Sequence, residues 1–183
     1  MDNNIILGVD PGTNLTGYGI IKVENNNLEL LSMGTFNLKS YAIYEEKLKN
    51  IFIFLNDLIK QYKPKSIVFE DAFYAKNAQV ILKLGRIQGI IMAVSALNNI
   101  STANYSPRKI KLSITGYGNA NKNSVSIMLQ KIFNFKENAS FLDSTDGLAV
   151  AVCHAMQREK NIFNKKSGSW KEFLAKNPDR ILK

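Results

Sequence analysis

The sequence has few of the features that identify secreted, zinc-stabilised or membrane proteins. One cysteine among 183 residues, Cys153, excludes an internal disulfide and a cysteine-based zinc site and favours a reducing cytoplasm. The longest uninterrupted apolar run, about Ile90 to Leu97, is much shorter than the roughly 20 residues that span a membrane. No signal peptide is predicted, because the chain moves from Met1-Asp2-Asn3-Asn4 directly into a strand-like run. We therefore expect a cytoplasmic protein with no membrane partner.

Acidic residues are outnumbered, with 24 Lys and Arg against 15 Asp and Glu and a net charge of +9. Residues 157–183 contain eight basic and three acidic residues, so they carry +5, and the rest of the chain carries +4. Such an excess favours a polyanionic partner such as nucleic acid, although many basic tails only keep a protein in solution. We predict one domain over residues 1–157. The basic tail, 158–183, is predicted to be flexible or to carry a short docked helix.

The hydrophobic pattern predicts an α/β fold. A continuous apolar run, Ile5 to Val9, is typical of a strand buried on both faces, and it ends at Asp10. Further strands are predicted at 17–23, 28–36, 66–69 and 100–105, and helices at 44–62, 75–97, 122–133 and about 140–158, with a short helical piece after Pro107. Antiparallel strands followed by β-α-β units imply a five-stranded mixed sheet flanked by helices.

Two carboxylates stand where predicted strands end. Asp10 closes the first strand and Glu70 closes the fourth. A crossover helix between these strands makes them parallel, so both carboxylates are expected at the carboxyl edge of the sheet, where ligands bind in open α/β sheets. Each residue also has a structural interpretation, since Asp-Pro-Gly is ordinary turn chemistry and Glu70 can simply face water.

A second acidic pair, Asp143 and Asp146, shares one face of the first turn of the last predicted helix. Ser140 as an N-cap with Asp143 as its capping-box partner is an equally good explanation of that pair. Four converging carboxylates, however, repel one another unless hard divalent cations such as Mg²⁺ neutralise them. An acidic pocket in a basic protein is what a metal-dependent nuclease requires.

Three segments, in chain order, carry a resemblance to a known family. They are Asp10-Pro11-Gly12 with Gly17-Tyr18-Gly19, Glu70 to Ala78 with Lys83-Leu84-Gly85, and Asp143 to Ala151 with His154. These segments resemble the three motifs of the RuvC-type Holliday junction resolvases over about residues 5–156. The resemblance implies an RNase H-like fold, a homodimer and symmetric Mg²⁺-dependent incision of four-way DNA junctions, with Mn²⁺ as a substitute metal and RuvA and RuvB as partners.

The resemblance also implies residue roles. The catalytic and metal-binding positions are Asp10, Glu70, Asp143 and Asp146. Phe73 matches an aromatic residue that contacts bases near the junction centre, and Lys111 and Lys122 match phosphate-facing lysines. The full set of predicted DNA-binding residues is Phe73, Tyr74, Lys76, Lys83, Arg86, Arg108, Lys111 and Lys122.

Several of these residues have ordinary alternatives. An exposed Phe73 or Tyr74 can stack on unpaired bases, but a buried one is only core, and most single lysines are merely solvated. The apolar stripe of the helix at 75–97 can serve as a dimer interface or as core. Asp71 departs from the family pattern, which has an amide there, and we expect it to face solvent rather than a metal. His154 is predicted to be structural, since it lies too far along its helix to share a metal with Asp143.

Other functions fit parts of the pattern. The Asp-Pro-Gly-Thr segment also resembles the phosphate loop of sugar kinases and actin-like ATPases, but those proteins duplicate the domain. The remaining alternatives are another RNase H-like nuclease acting on RNA or duplex DNA, and a junction-binding protein without catalysis. The latter gains nothing from four acidic positions.

Overall fold

A computed structural model describes residues 4–25, 27–71, 77–135 and 141–166, and in the last segment it describes the side chains of residues 144–157. In chain order the elements are β1 (Ile5–Asp10), β2 (Leu15–Glu24), β3 (Asn27–Asn37), α1 (Tyr44–Tyr62), β4 (Ser66–Glu70), α2 (Ala78–Leu97), β5 (Ser101–Tyr105), α3 (Pro107–Thr115), α4 (Lys122–Phe133) and α5 (Phe141–Lys166).

The strands form one mixed sheet of five strands in the order β3-β2-β1-β4-β5. The first three strands pair antiparallel, and β4 pairs parallel with both β1 and β5. This arrangement confirms the predicted five-stranded mixed sheet. It also places β1, the most apolar strand, at the centre, where helices cover both of its faces.

Two hydrophobic clusters fill the two sides of the sheet. Ile6 packs with α3, α4 and α5 on one side, whereas Leu7 packs with α1 and α2 on the other. Neighbouring residues of a strand point to opposite faces, so a continuous apolar run is what a strand between two helical layers requires. The helices therefore flank the sheet on both faces.

Three predicted boundaries differ from the structure by two residues or more. The second strand begins earlier, at Leu15. The second helix begins at Ala78 rather than Ala75, because the side chain of Asn77 accepts a hydrogen bond from the backbone N–H of Gln79 and caps the helix there. The last helix continues to Lys166 instead of ending near Arg158, since glycine and proline are absent from 148–166. Ser140 and residues 167–183 lie outside the described residues, so the predicted cap and tail stay predictions.

The second helix has two apolar faces. Ile87, Ile91 and Val94 are fully buried against the sheet and α1. Another face leaves large apolar side chains exposed, among them Ile81, Leu82, Met92 and Leu97. This helix is the one element of the described chain that is long and apolar enough, by length and composition alone, to cross a membrane. Its buried face shows that it also packs as part of the core.

Candidate active site

The sheet register brings the first two predicted acids together. In the parallel pair of β1 and β4, Val9 lies opposite Phe69, so Asp10 and Glu70 follow side by side at the carboxyl edge. The side-chain amide of Gln88, on α2, donates a hydrogen bond of 3.2 Å to the backbone carbonyl of Glu70. This hydrogen bond ties the main chain at Glu70 to α2, which packs against the sheet.

Glycines bring α5 close enough to place a third acid at the same edge. A Cβ on Gly8 of β1 would overlap the backbone of α5 at Gly147, and a Cβ on Gly147 would overlap the backbone of Tyr18 on β2. Only residues without a side chain permit this approach of helix to sheet. Because Asp146 directly precedes Gly147, the contact fixes Asp146 beside the end of β1.

One cleft of about 240 Å³ collects these groups. Its lining residues are Asp10, Glu70, Pro107, Ile110, Lys111, Lys122, Val125, Asp146 and Ala149. Three of the four predicted acids and two of the predicted lysines therefore meet in one place. A larger cavity of about 550 Å³ lies beyond the first turns of α4, but all of its lining residues are neutral, so the charged cleft is the candidate for catalysis.

Burial and like charges disfavour ionised Glu70 in the cleft. Burial, which is the largest cause, and the nearby carboxylates of Asp10 and Asp146 together raise the pKa of Glu70 from 4.5 to about 7, against the opposing effect of Lys111. The ammonium of Lys122 forms an ion pair with Asp146, with 2.7 Å between Nζ and Oδ2. The cleft is thus an acidic cluster in which one carboxylate is already paired with a lysine ammonium.

The donor set suits a hard divalent metal. All of the acids offer carboxylate oxygens, the ligands that Mg²⁺ prefers, and their mutual repulsion favours a bound cation. Asp143 lies one turn before Asp146 on α5, but its side chain is outside the described part. Among the described side chains no three acidic, histidine or cysteine groups are close enough to hold one ion, so a complete site needs Asp143 or a change of rotamer.

Lys47 is a residue that the sequence analysis missed. From α1 its ammonium donates to the backbone carbonyl of Thr13, at 3.1 Å, and to the side-chain oxygen of Asn14, at 3.2 Å. The hydroxyl of Thr16 donates to the carbonyl of Gly12 across the same loop, at 3.2 Å. These bonds fix the loop that follows Asp10. No sequence signal distinguishes Lys47 from the other lysines of an amphipathic helix.

Two predicted DNA-binding residues lie away from the cleft. Lys83 and Arg86, on α2, each place their charged group 5.8 Å from the ring centre of Tyr44 on α1. The Tyr44 hydroxyl donates to the backbone carbonyl of Lys83, at 2.6 Å. Tyr44 therefore anchors this basic pair, and it was not predicted.

The remaining predicted DNA-binding residues belong neither to the cleft nor to the basic pair at Tyr44. Arg108 lies on α3, where its side chain passes beside Gly118 and does not line the cleft. Phe73, Tyr74 and Lys76 lie outside the described residues.

Two further side chains have partners away from the cleft. Asp71, expected to face solvent, is partly buried, and its carboxylate accepts a hydrogen bond of 2.8 Å from the side-chain amide of Asn104 on β5. It is absent from the lining of the cleft. His154 lies 2.7 Å from the hydroxyl of Tyr105, between Nδ1 and the oxygen, which agrees with its predicted structural role.

Comparisons with known proteins identify the family that the sequence motifs resemble. The family model described as crossover junction endodeoxyribonuclease RuvC matches residues 6–154. A protein of that name from Cytophaga hutchinsonii is 43% identical over 179 residues, covering 98% of this chain and 88% of its own length. The one from Christiangramia forsetii is 44% identical over 177 residues, covering 97% of this chain and 92% of its own length.

Solved structures have the same fold. Thermus thermophilus RuvC, 22% identical, superposes with a TM-score of 0.78 over 86% of this chain and 96% of its own. The same protein in complex with a Holliday junction substrate gives a TM-score of 0.80 over the same shares. These likenesses confirm the predicted RNase H-like fold. By its family model and its relatives, this chain belongs to the crossover junction endodeoxyribonuclease RuvC family.

Proposed function

We propose that this chain is a metal-dependent endonuclease that resolves four-way DNA junctions by paired, symmetric hydrolysis of phosphodiester bonds. The observation that carries the proposal is the cleft in which Asp10, Glu70 and Asp146 meet Lys111 and Lys122. Carboxylates without lysines would repel DNA, and lysines without carboxylates would bind DNA without a means to cut it. The presence of carboxylates and lysines in one cleft, in a chain that belongs to this family, supports a nuclease.

Asp10, Glu70, Asp143 and Asp146 are the proposed catalytic and metal-binding residues. Oxygen donors alone favour Mg²⁺, with two ions in the active complex, and Mn²⁺ can substitute because it accepts the same ligands. Held by these residues, such ions would supply charge stabilisation at the phosphate and activation of a water molecule for attack. The chain itself supplies the fixed positions: two acids from neighbouring strands and two from one helix turn.

Basic residues are proposed to bind the backbone of the junction. Lys111 and Lys122 reach the cleft itself, where their charges can neutralise the phosphate that is cut. Lys83 and Arg86 form a second basic site at Tyr44, and Arg108 adds another charge on α3. Lys76, Phe73 and Tyr74 keep the roles that the family resemblance implies.

A homodimer is proposed to pair two clefts. A junction has approximate two-fold symmetry, so two identical sites related by one axis can cut two strands of like polarity. The exposed face of α2 suits this contact, since Ile81, Gly85, Gly89 and Met92 recur at helical spacing. A Cβ on either glycine would meet nothing within 4 Å, so a partner helix can approach closely.

The other expectations follow from the family. RuvA and RuvB are the proposed protein partners, and the cytoplasm is the proposed location. Residues 1–157 are proposed to form the nuclease domain, with the basic segment 158–183 outside it.

Cleavage of synthetic DNA tests the proposal. Purified protein with Mg²⁺ is incubated with a four-way junction, a linear duplex and an RNA–DNA hybrid. We expect paired nicks in the junction alone. Asp10→Asn should cut the junction more than about 100-fold more slowly while still binding it, since loss of a metal's outer-shell partners alone typically costs 10–100-fold.

Asp71→Asn is the matched control, because Asp71 is also acidic and adjoins Glu70 but bonds to Asn104 outside the cleft. It should cut at nearly the normal rate. Preferential cutting of the hybrid would indicate an RNA nuclease instead. Binding of the junction without any cutting would indicate a non-catalytic protein.

A further inference from the structure

Lys122 pairs directly with one of the proposed metal ligands. Its Nζ lies 2.7 Å from Oδ2 of Asp146, and the two side chains are 44% and 28% exposed. The contact joins the first residue of α4 to the first turns of α5, two elements that pack against each other. In this structure a lysine ammonium therefore occupies a carboxylate oxygen that a metal ion would need.

The position of Lys122 is unfavourable for its own helix. The start of a helix carries partial positive charge, and acidic side chains usually stand there. The first turn of α4 has none and begins with Lys122, directly after the N-cap Asn121. Asp146 supplies the missing negative charge from another helix, so the pair offsets a local electrostatic cost.

We propose that Lys122 couples metal binding to DNA binding by exchanging partners. This inference rests on the proposed nuclease function, in which Lys122 contacts phosphate. Without DNA, Lys122 holds Asp146 and competes with a metal ion for its carboxylate. When DNA enters the cleft, a phosphate oxygen takes over Lys122 and releases Asp146 for the metal.

The exchange is chemically simple. The lysine ammonium is a compact charge with three donors on a flexible stem, so it can turn from a carboxylate to a phosphate without movement of the backbone. Because coupling between two binding sites is reciprocal, DNA must raise metal affinity by the same factor by which the metal raises DNA affinity. The metal is therefore held weakly until a substrate is present.

Metal binding without DNA is the first test. Mn²⁺ alone is titrated into the full-length, metal-free protein and its free fraction is read by electron paramagnetic resonance. Lys122→Gln should bind Mn²⁺ about two- to fivefold more tightly than the unchanged protein, the range expected from loss of one partly exposed ion pair. Lys122→Arg keeps the charge and the pairing, so it should bind Mn²⁺ with unchanged affinity.

Lys111→Gln is the matched control, since it removes the same charge from the same cleft without removing the 2.7 Å pair with Asp146. Its Mn²⁺ affinity should change less than that of Lys122→Gln. Equal tightening in both glutamine variants would show a general charge effect and overturn the exchange. Unchanged affinity in Lys122→Gln would also overturn it.

Junction binding is the second test. The affinity for a four-way junction is measured in EDTA and with Ca²⁺, with uncut DNA verified on a denaturing gel. The Ca²⁺-dependent gain should be about two- to fivefold smaller in Lys122→Gln than in the unchanged protein. An equal gain would refute the coupling. If the protein does not cut the junction but the Mn²⁺ affinities are as expected, the proposed nuclease function is rejected. The competition between Lys122 and the metal for Asp146 is then still supported.

Discussion

Neutralising Glu70 should stabilise the metal-free protein. Glu70 has a pKa of about 7 in the folded chain and 4.5 as an isolated group, because burial and the charges of Asp10 and Asp146 oppose its ionised form. A group whose pKa is raised on folding supports the fold below its unfolded pKa, and this support is lost as the pH rises through the folded value. The cleft is therefore a source of instability at neutral and alkaline pH.

The magnitude follows from the two pKa values. A rise from 4.5 to about 7 corresponds to about 3 kcal/mol of folding free energy, at 1.36 kcal/mol for each pH unit. Glu70→Gln removes the ionisation and keeps the size of the side chain. It should increase the free energy of unfolding by about 3 kcal/mol at pH 8 and by less than about 1 kcal/mol at pH 5, where the folded chain already holds the proton.

Urea unfolding followed by circular dichroism measures this difference, with EDTA present to remove metal. Glu29→Gln is the control, because it makes the same chemical change at an exposed position of β3, and it should shift stability by less than about 0.5 kcal/mol at both pH values. An equal gain for Glu70→Gln at pH 5 and pH 8 would contradict the electrostatic explanation. So would a variant less stable than the unchanged protein at pH 8.

Two other changes test the assembly and the loop after β1. Leu82 lies on the exposed face of α2, so Leu82→Glu would bury a carboxylate from each copy in the proposed interface. It should raise the dimer dissociation constant at least about 100-fold in sedimentation experiments. Ile127→Glu, on the other side of the sheet, should leave the dimer intact. Lys47→Met should reduce the junction cleavage rate about 10- to 100-fold by loosening the loop beside Asp10, and Lys49→Met on the same helix should not. A dimer that survives Leu82→Glu, or full cleavage by Lys47→Met, would refute the corresponding role.

The cleft explains why acids and lysines occur together in this family member. Burial and the carboxylates of Asp10 and Asp146 raise the pKa of Glu70 and so disfavour its ionised form, while Lys111 opposes that shift and Lys122 pairs with Asp146. The same lysines carry the charge that a phosphate requires. A site that is unstable alone and stabilised by its metal and substrate is a common arrangement in enzymes.

Local pattern was sufficient for the elements of the fold. The sequence pattern predicted the strands and helices that the described residues form, α3 only as a short helical piece. The apolar run of β1 reflects its burial between two helical layers, and the apolar stripe of α1 reflects packing of one helix face. The crossover between β1 and β4 also predicted that Asp10 and Glu70 share an edge, and the parallel register agrees with that placement. Boundaries such as the start of α2 depended on the cap at Asn77, which the apolar pattern does not show.

The sequence by itself determined the mixed α/β sheet, the edge at which the acids collect and the excess of positive charge. The tertiary structure alone decided that α5 rests on the sheet through Gly8 and Gly147, that Lys47 fixes the loop after Asp10, and that Lys122 pairs with Asp146. These contacts join residues that are far apart along the chain. Their partners are set by how helices and strands pack, and the apolar periodicity of one element does not show which other element it will contact.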